Sequence, residues 1–166
     1  MGRTECTFTR ETDWFRLRAC GILINDGKVL MVRNDIDPFY YSVGGCVEHG
    51  EGLENAALRE VWEETGWKFE AERLAFVHEN FFLGKAGSIE GLRCHEVAFY
   101  YLMKWDPNCV ITSNSHGMGG LPERLVWLEI TQLNNKEMKL YPTFFADELL
   151  NLPLHPKHIV TYESGF

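Results

Sequence analysis

Apolar and polar positions along the chain fall into runs that predict many strands and few helices. Phe15 to Ile24 is a strand, continuously apolar from Ala19 to Ile24. Asn25-Asp26-Gly27 supplies the residues of a tight hairpin turn, and Lys28 to Arg33 returns as the second strand. Asp35 to Tyr40, with Pro38, is a loop, and Tyr41 to Val47 is a short strand running into a turn with two glycines. Leu53 to Thr65 has helical spacing. Gly52 precedes it, Glu54 sits in the first turn where the helix dipole favours an anion, and Gly66 follows as a stop. Leu74 to Val77, Val97 to Met103 and Leu125 to Ile130 are further strands. Asp106 to Pro122, rich in Gly, Ser and Asn, is a long surface loop. Pro142 and Pro153 bracket a second helix over Thr143 to Leu150, with Thr143 as its cap. Strands interrupted by two helices make the class α/β in the α+β sense.

The 166 residues fit one domain spanning 1–166, with a core over about 16–150 and short extensions at each end. Hydrophobic residues are 45% of the chain and charged residues 24%, a globular mix that excludes a disordered chain or a long coiled coil. Acidic residues outnumber basic ones 24 to 16, for a net charge of −8. That balance argues against binding a nucleic-acid duplex or an acidic membrane, and no apolar run approaches a membrane span. Five widely spaced cysteines with no C-x-x-C pair suit reduced thiols and a cytoplasmic location.

The helix over Leu53 to Thr65 carries the chemistry. On a helical wheel Ala57, Leu58, Val61 and Trp62 form an apolar arc, and Glu60, Glu63 and Glu64 form a neighbouring arc roughly 100° wide. Like charges at i,i+3 and i,i+4 repel by a few tenths of about 1 kcal/mol per pair. They also lie in the C-terminal half, where the dipole disfavours anions. A solvated acidic face accounts for this pattern, and so does a site for a hard divalent cation, which prefers oxygen ligands.

The flanking residues separate the two. From Gly45 the chain runs five residues to Glu51, then seven, then Arg59-Glu60-Val61-Trp62-Glu63-Glu64-Thr65-Gly66-Trp67. Every fixed position of the Nudix box is filled, and the segment Gly45 to Trp67 resembles that signature of the Nudix hydrolases. Trp67 is aromatic where the pattern usually holds a smaller aliphatic residue. The resemblance implies a Nudix-type α/β/α sandwich with a mixed central sheet. It implies hydrolysis of a pyrophosphate bond in a nucleoside diphosphate linked to another moiety, such as a nucleoside triphosphate or a nucleotide sugar, with Mg²⁺ or Mn²⁺. Carried over by position, Glu60, Glu63, Glu64 and the Gly45 carbonyl would hold the metal, and Glu51 and Arg59 would brace the loop against the helix. It implies a nucleotide-type small-molecule substrate and admits a homodimer.

Glu64 is the first candidate for the general base, with Glu123 at the end of the long loop and Glu96 at the start of a strand as alternatives. Strand alternation sets Val97 and Phe99 opposite Glu96, which an outward-facing residue would also satisfy. Arg33 is a candidate phosphate contact. Phe81 and Phe82, ahead of Gly84 and Gly87, are candidate loop-tip aromatics for stacking on a base. His116, on the long loop, is a weaker catalytic candidate. Two other readings keep the same box: a non-catalytic Nudix-fold nucleotide-binding or regulatory module, which usually lacks box glutamates present here, and an isomerase relative that transfers protons.

Overall fold

A computed structural model describes residues 4–34, 39–112 and 123–166. The strands, in chain order, are β1 (Thr7–Arg10), β2 (Asp13–Ile22), β3 (Ile24–Asn25), β4 (Lys28–Asn34), β5 (Phe39–Ser42) and β6 (Gly44–Cys46), followed by helix α1 (Leu53–Thr65). Then come β7 (Glu70–Leu83), β8 (Arg93–Lys104), β9 (Glu123–Glu129), β10 (Lys139–Tyr141), the single turn α2 (Phe145–Glu148) and β11 (Lys157–Tyr162). They form two mixed sheets. The larger has the order β1-β2-β8-β7-β11, with β6 also pairing to β2; the smaller has the order β10-β5-β4-β3, with β9 on β4. The pairs β2–β8, β7–β11 and β5–β10 are parallel and the rest antiparallel. No helix among the described residues is long and apolar enough to cross a membrane.

The first hairpin forms as its turn residues dictate. Asp26 and Gly27 both take positive φ, at 48° and 73°, the left-handed pair that matches the twist of the flanking strands. Alternation along β2 then divides the core. Cys20 and Ile22 join Val29, Met31, Phe76, Ala98, Tyr100, Phe144, Phe145 and Leu149 between the sheets and beneath α2. Ala19 and Leu23 join Leu30, Val32, Val43, Tyr101 and Met103 on the other side, where Ala56, Ala57 and Val61 of α1 pack. The close approach of α1 depends on Gly21, where a Cβ would overlap Val61 Cγ2.

Several expectations change. Trp62 is 46% exposed, with Lys68 Nζ 5.4 Å from its ring centre. The buried stripe runs Ala57-Val61-Thr65, at i,i+4 spacing, and leaves Trp62 at its edge. The second helix shrinks to one turn over Phe145–Glu148 continued by a 3₁₀ turn over Leu149–Asn151, and Thr143 does not cap it. The tighter winding lets Phe144, Phe145 and Leu149 all reach the core. Phe81 and Phe82 lie inside β7, paired with His95 and Cys94, and the turn falls at Gly84 to Gly91 instead. The terminal extensions supply the two edge strands, β1 and β11.

His78, buried between the sheet and Phe144, sets its Nε2 2.9 Å from Thr161 Oγ1. Burial pulls its pKa down to about 4, partly offset by the charge of Glu96. A histidine depressed in the fold takes its proton more readily when unfolded, so the stability present above its ordinary pKa of about 6.5 is lost as pH falls towards 4. Urea unfolding between pH 4.5 and 6.5 is therefore expected to weaken less steeply in His78→Gln, by up to about 1.4 kcal/mol per pH unit. Parallel slopes in the two proteins would contradict a buried neutral imidazole. At the helix contact, Gly21→Ala is expected to cost about 1–3 kcal/mol by overpacking, part of it recovered in Gly21→Ala/Val61→Ala. Denaturation midpoints of the single and double variants check this.

Candidate active site

The site is built where β6 lies against β2 and looks onto the polar edge of α1. Gly44, Gly45 and Cys46 pair with Cys20, Ala19 and Arg18. Gly44 has φ of 140° and sits so close to β2 that a Cβ would collide with Ala19 O and Cys20 Cα, so only glycine fits there. At Gly45 a Cβ would overlap the Glu60 carboxylate. The missing side chain lets that carboxylate lie directly against the strand backbone. One residue back, the Gly44 N–H donates to Glu64 Oε1 at 3.1 Å.

Arg59 ties the following loop to the helix. Its Nε and Nη2 donate to the two Glu51 oxygens at 2.9 and 2.8 Å, and Nη2 also donates to the Cys46 carbonyl at 3.1 Å. The fork of a guanidinium suits such a bidentate grip. Its Nη1 reaches Glu60 Oε1 at 2.6 Å and Glu63 Oε2 at 3.3 Å. The hydrogen bonds that Arg59 donates to Glu51 and Glu60 hold it firmly protonated against its partial burial.

Burial governs the acids. It pushes the Glu64 carboxyl up to about 8; Gly44 N–H and Arg18 oppose the rise, while Glu60 and Glu123 add to it. Burial also raises Glu60, which Arg59 partly offsets. Glu64 Oε2 is buried with no hydrogen-bond partner. A polar oxygen in that position loses its hydration with nothing in return. Glu123 begins β9, opposite Asn34 of β4. On the way there from β8, the chain docks on the C-terminal end of α1: Thr112 N–H donates to Thr65 O at 2.9 Å, and a Cβ at Gly66 would overlap Thr112 Oγ1. Residues 113–122, including His116, lie outside the described residues.

The donors suit a hard cation. They are carboxylate oxygens beside a backbone edge, one of them buried and unmatched, in a place kept open by glycine. Among the described residues no three acidic, histidine or cysteine side chains already stand grouped so that they could hold a metal ion. Glu63, 48% exposed, leans towards Arg59 rather than towards Glu64.

The remaining candidates disperse. Glu96 does not face outward: it is 7% exposed, on the inner face of β8 with Ala98 and Tyr100. Arg16 Nε donates to its Oε2 at 2.8 Å, Arg16 Nη2 meets the same oxygen, and Arg18 Nη1 lies 4.0 Å from Oε1. Burial alone would raise its pKa, but Arg16 and Arg18 outweigh that and hold it below the ordinary range. Arg33, near the end of β4, packs over Tyr40, with its Nη1 3.3 Å from the hydroxyl and its Nε buried without a partner. Phe81 is stacked between His95 and Tyr162, at 4.2 and 4.7 Å between ring centres, on the α1 face of the larger sheet. Its partner row on β2 is Phe15, four residues along from Ala19, which pairs with Gly45. Phe82 faces the other way, edge-on to Trp14. Arg18 escaped the sequence reading. Its signal was an arginine in phase with Cys20 and Ile22 on a strand otherwise headed for the core.

Comparison with known proteins agrees with this architecture. A MutT-like protein of Streptomyces ambofaciens is 36% identical over 61 residues, 36% of this chain and 40% of that protein. An ADP-ribose pyrophosphatase of Methanocaldococcus jannaschii is 43% identical over 49 residues, 28% of this chain and 29% of that protein. The matched segment thus spans well under half the length of these curated relatives. The fold matches the crystal structure of a mutator MutT protein from Bacillus halodurans with a TM-score of 0.62 at 15% identity, over 90% of this chain and 91% of that one. Residues 14–146 match the NUDIX domain, and the chain belongs to the NUDIX family.

Proposed function

We propose that the protein hydrolyses a pyrophosphate bond in a nucleoside diphosphate linked to another moiety, with Mg²⁺ or Mn²⁺ held by Glu60, Glu63, Glu64 and the Gly45 carbonyl. The observation that carries this reading is the buried, unpartnered Glu64 Oε2 beside Gly44 and Gly45. A fold has no stabilising use for an unmatched carboxylate oxygen, whereas a cation site does. A bound divalent cation would neutralise the phosphate oxygens and make a bound water more acidic.

The chain's own residues do the rest. Arg59 and Glu51 fix the loop after β6 to α1, so that the Gly45 carbonyl and the Glu60 carboxylate keep their places. Arg59 bridges Glu60 and Glu63 through Nη1, and Glu63 is exposed enough to turn away from it towards a cation. The Glu64 carboxylate, or Glu123, whose charge reaches it, takes up the proton of the attacking water. Attack is at phosphorus, in line with the leaving phosphate. Glu96, hydrogen-bonded to Arg16 and 4.0 Å from Arg18, is poorly placed as a base. Arg33, with its unmatched Nε, is the proposed contact to the substrate phosphates. Phe82 remains a stacking candidate, and Phe81, filled on both faces, does not.

One relative is named an ADP-ribose pyrophosphatase, and the family resemblance also implies nucleoside triphosphates, so the test is a panel of both with Mg²⁺, read by released nucleoside monophosphate. Turnover of at least one member, abolished by a chelator, is expected. Glu63→Gln and Glu64→Gln are each expected to lower kcat about 10²-fold or more while near-ultraviolet circular dichroism stays unchanged. A folded protein inert towards the whole panel would favour a nucleotide-binding module instead.

A further inference from the structure

Outside the box, the described residues include a largely buried charge group, Arg16, Arg18 and Glu96, and it connects to the box through one residue, Gly44. Arg18 on β2 donates from Nη2 to the carbonyls of Ser42 at 3.2 Å and Gly44 at 2.9 Å. The N–H of that same Gly44 donates to Glu64 Oε1. Behind Arg18 stands Glu96, with Arg16 gripping its other oxygen. Arg18 therefore sits between two carboxylates, Glu96 and Glu64, and both act on it electrostatically.

Which carboxylate Arg18 pairs with decides the state of the box. A buried guanidinium without a counter-charge would move to the nearest one available, because an unpaired charge in a low-dielectric interior is strongly disfavoured. Its Nε is already buried without a partner, so it has donor capacity to spare. A closed Arg18–Glu64 pair would take up the very oxygen that is now unmatched.

We propose that Arg18 and Glu96 are positioning residues for the cation site. Arg18 clamps the Ser42–Gly44 backbone so that the Gly44 N–H orients Glu64, and Glu96 holds Arg18 back so that Glu64 Oε2 stays open for a cation. Arg16 serves the pair by fixing Glu96. The inference rests on the reading of Glu64 as a cation ligand, and it assigns Glu96 a task other than proton transfer.

The test is Mn²⁺ alone, titrated into the full chain and followed by electron paramagnetic resonance of the free ion. Wild type, Glu64→Gln, Glu96→Gln and Arg18→Lys are compared, with thermal unfolding recorded for each. Glu96→Gln is nearly isosteric, and it is expected to weaken Mn²⁺ affinity about tenfold, equivalent to about 1.4 kcal/mol, as Arg18 swings onto Glu64. Arg18→Lys keeps the charge but loses the two-carbonyl clamp, and it is expected to weaken Mn²⁺ several-fold and to move the Gly44 amide resonance in a ¹⁵N spectrum. A merely structural role would lower the unfolding temperature and leave affinity per folded molecule unchanged; that result overturns the proposal. Should Arg18→Lys fail to fold, Glu96→Gln decides alone. A wild type that binds no Mn²⁺ sinks the underlying reading. Wild-type binding lost in Glu64→Gln but intact in a folded Glu96→Gln sinks only this inference.

Discussion

The structure turns on a carboxylate pressed against backbone in a place that water cannot serve. Gly44 brings β6 so close to β2 that it could not carry a side chain, and the bare backbone of Gly45 lets the Glu60 carboxylate of α1 lie against the strand. The consequence is a Glu60 carboxylate lying on the strand and a Glu64 carboxylate with one oxygen tied to Gly44 and the other unmatched. Burial raises both carboxyls above their ordinary range. A divalent cation, as proposed, would reverse that penalty, because its charge and its need for hard oxygen ligands match what the site lacks.

Around this point the rest of the fold acts as support. Gly21 lets α1 settle on β2, the Ala57-Val61-Thr65 stripe fixes its rotation, and that rotation turns Glu60 and Glu64 towards β6. Arg59 joins the two ends of the intervening loop. The mixed sheets carry β9 alongside β4, which sets Glu123 at the strand end from which its charge reaches Glu64. Arg18 closes the arrangement from the far side.

Much of this was legible in the sequence because it is local. The helix bounds follow from Gly52 and Gly66, the hairpin from Asp26-Gly27, and the acids from their spacing on one helix. The less legible features depend on partners distant along the chain. Glu96 reads as an ambiguous strand residue until Arg16 and Arg18, 80 and 78 residues earlier, are seen to enclose it. Phe81 and Phe82 precede glycines and so suggest a loop tip, but pairing to β8 and β11 extends the strand through them. Trp62 looks apolar on a wheel, yet the sheet has room for the alanine and valine of the stripe and not for an indole beside it. β1 and β11 are short edge strands whose residues carry little period of their own.

The proposed site requires that the acids of α1 cradle a cation, and thermal unfolding of the full chain with and without saturating Mg²⁺ reads that binding. A ligand that binds only the folded state raises the unfolding temperature. A rise of several degrees is expected in wild type and none in Glu64→Gln; an unmoved wild type, or an equal rise in both proteins, would rule the cation site out.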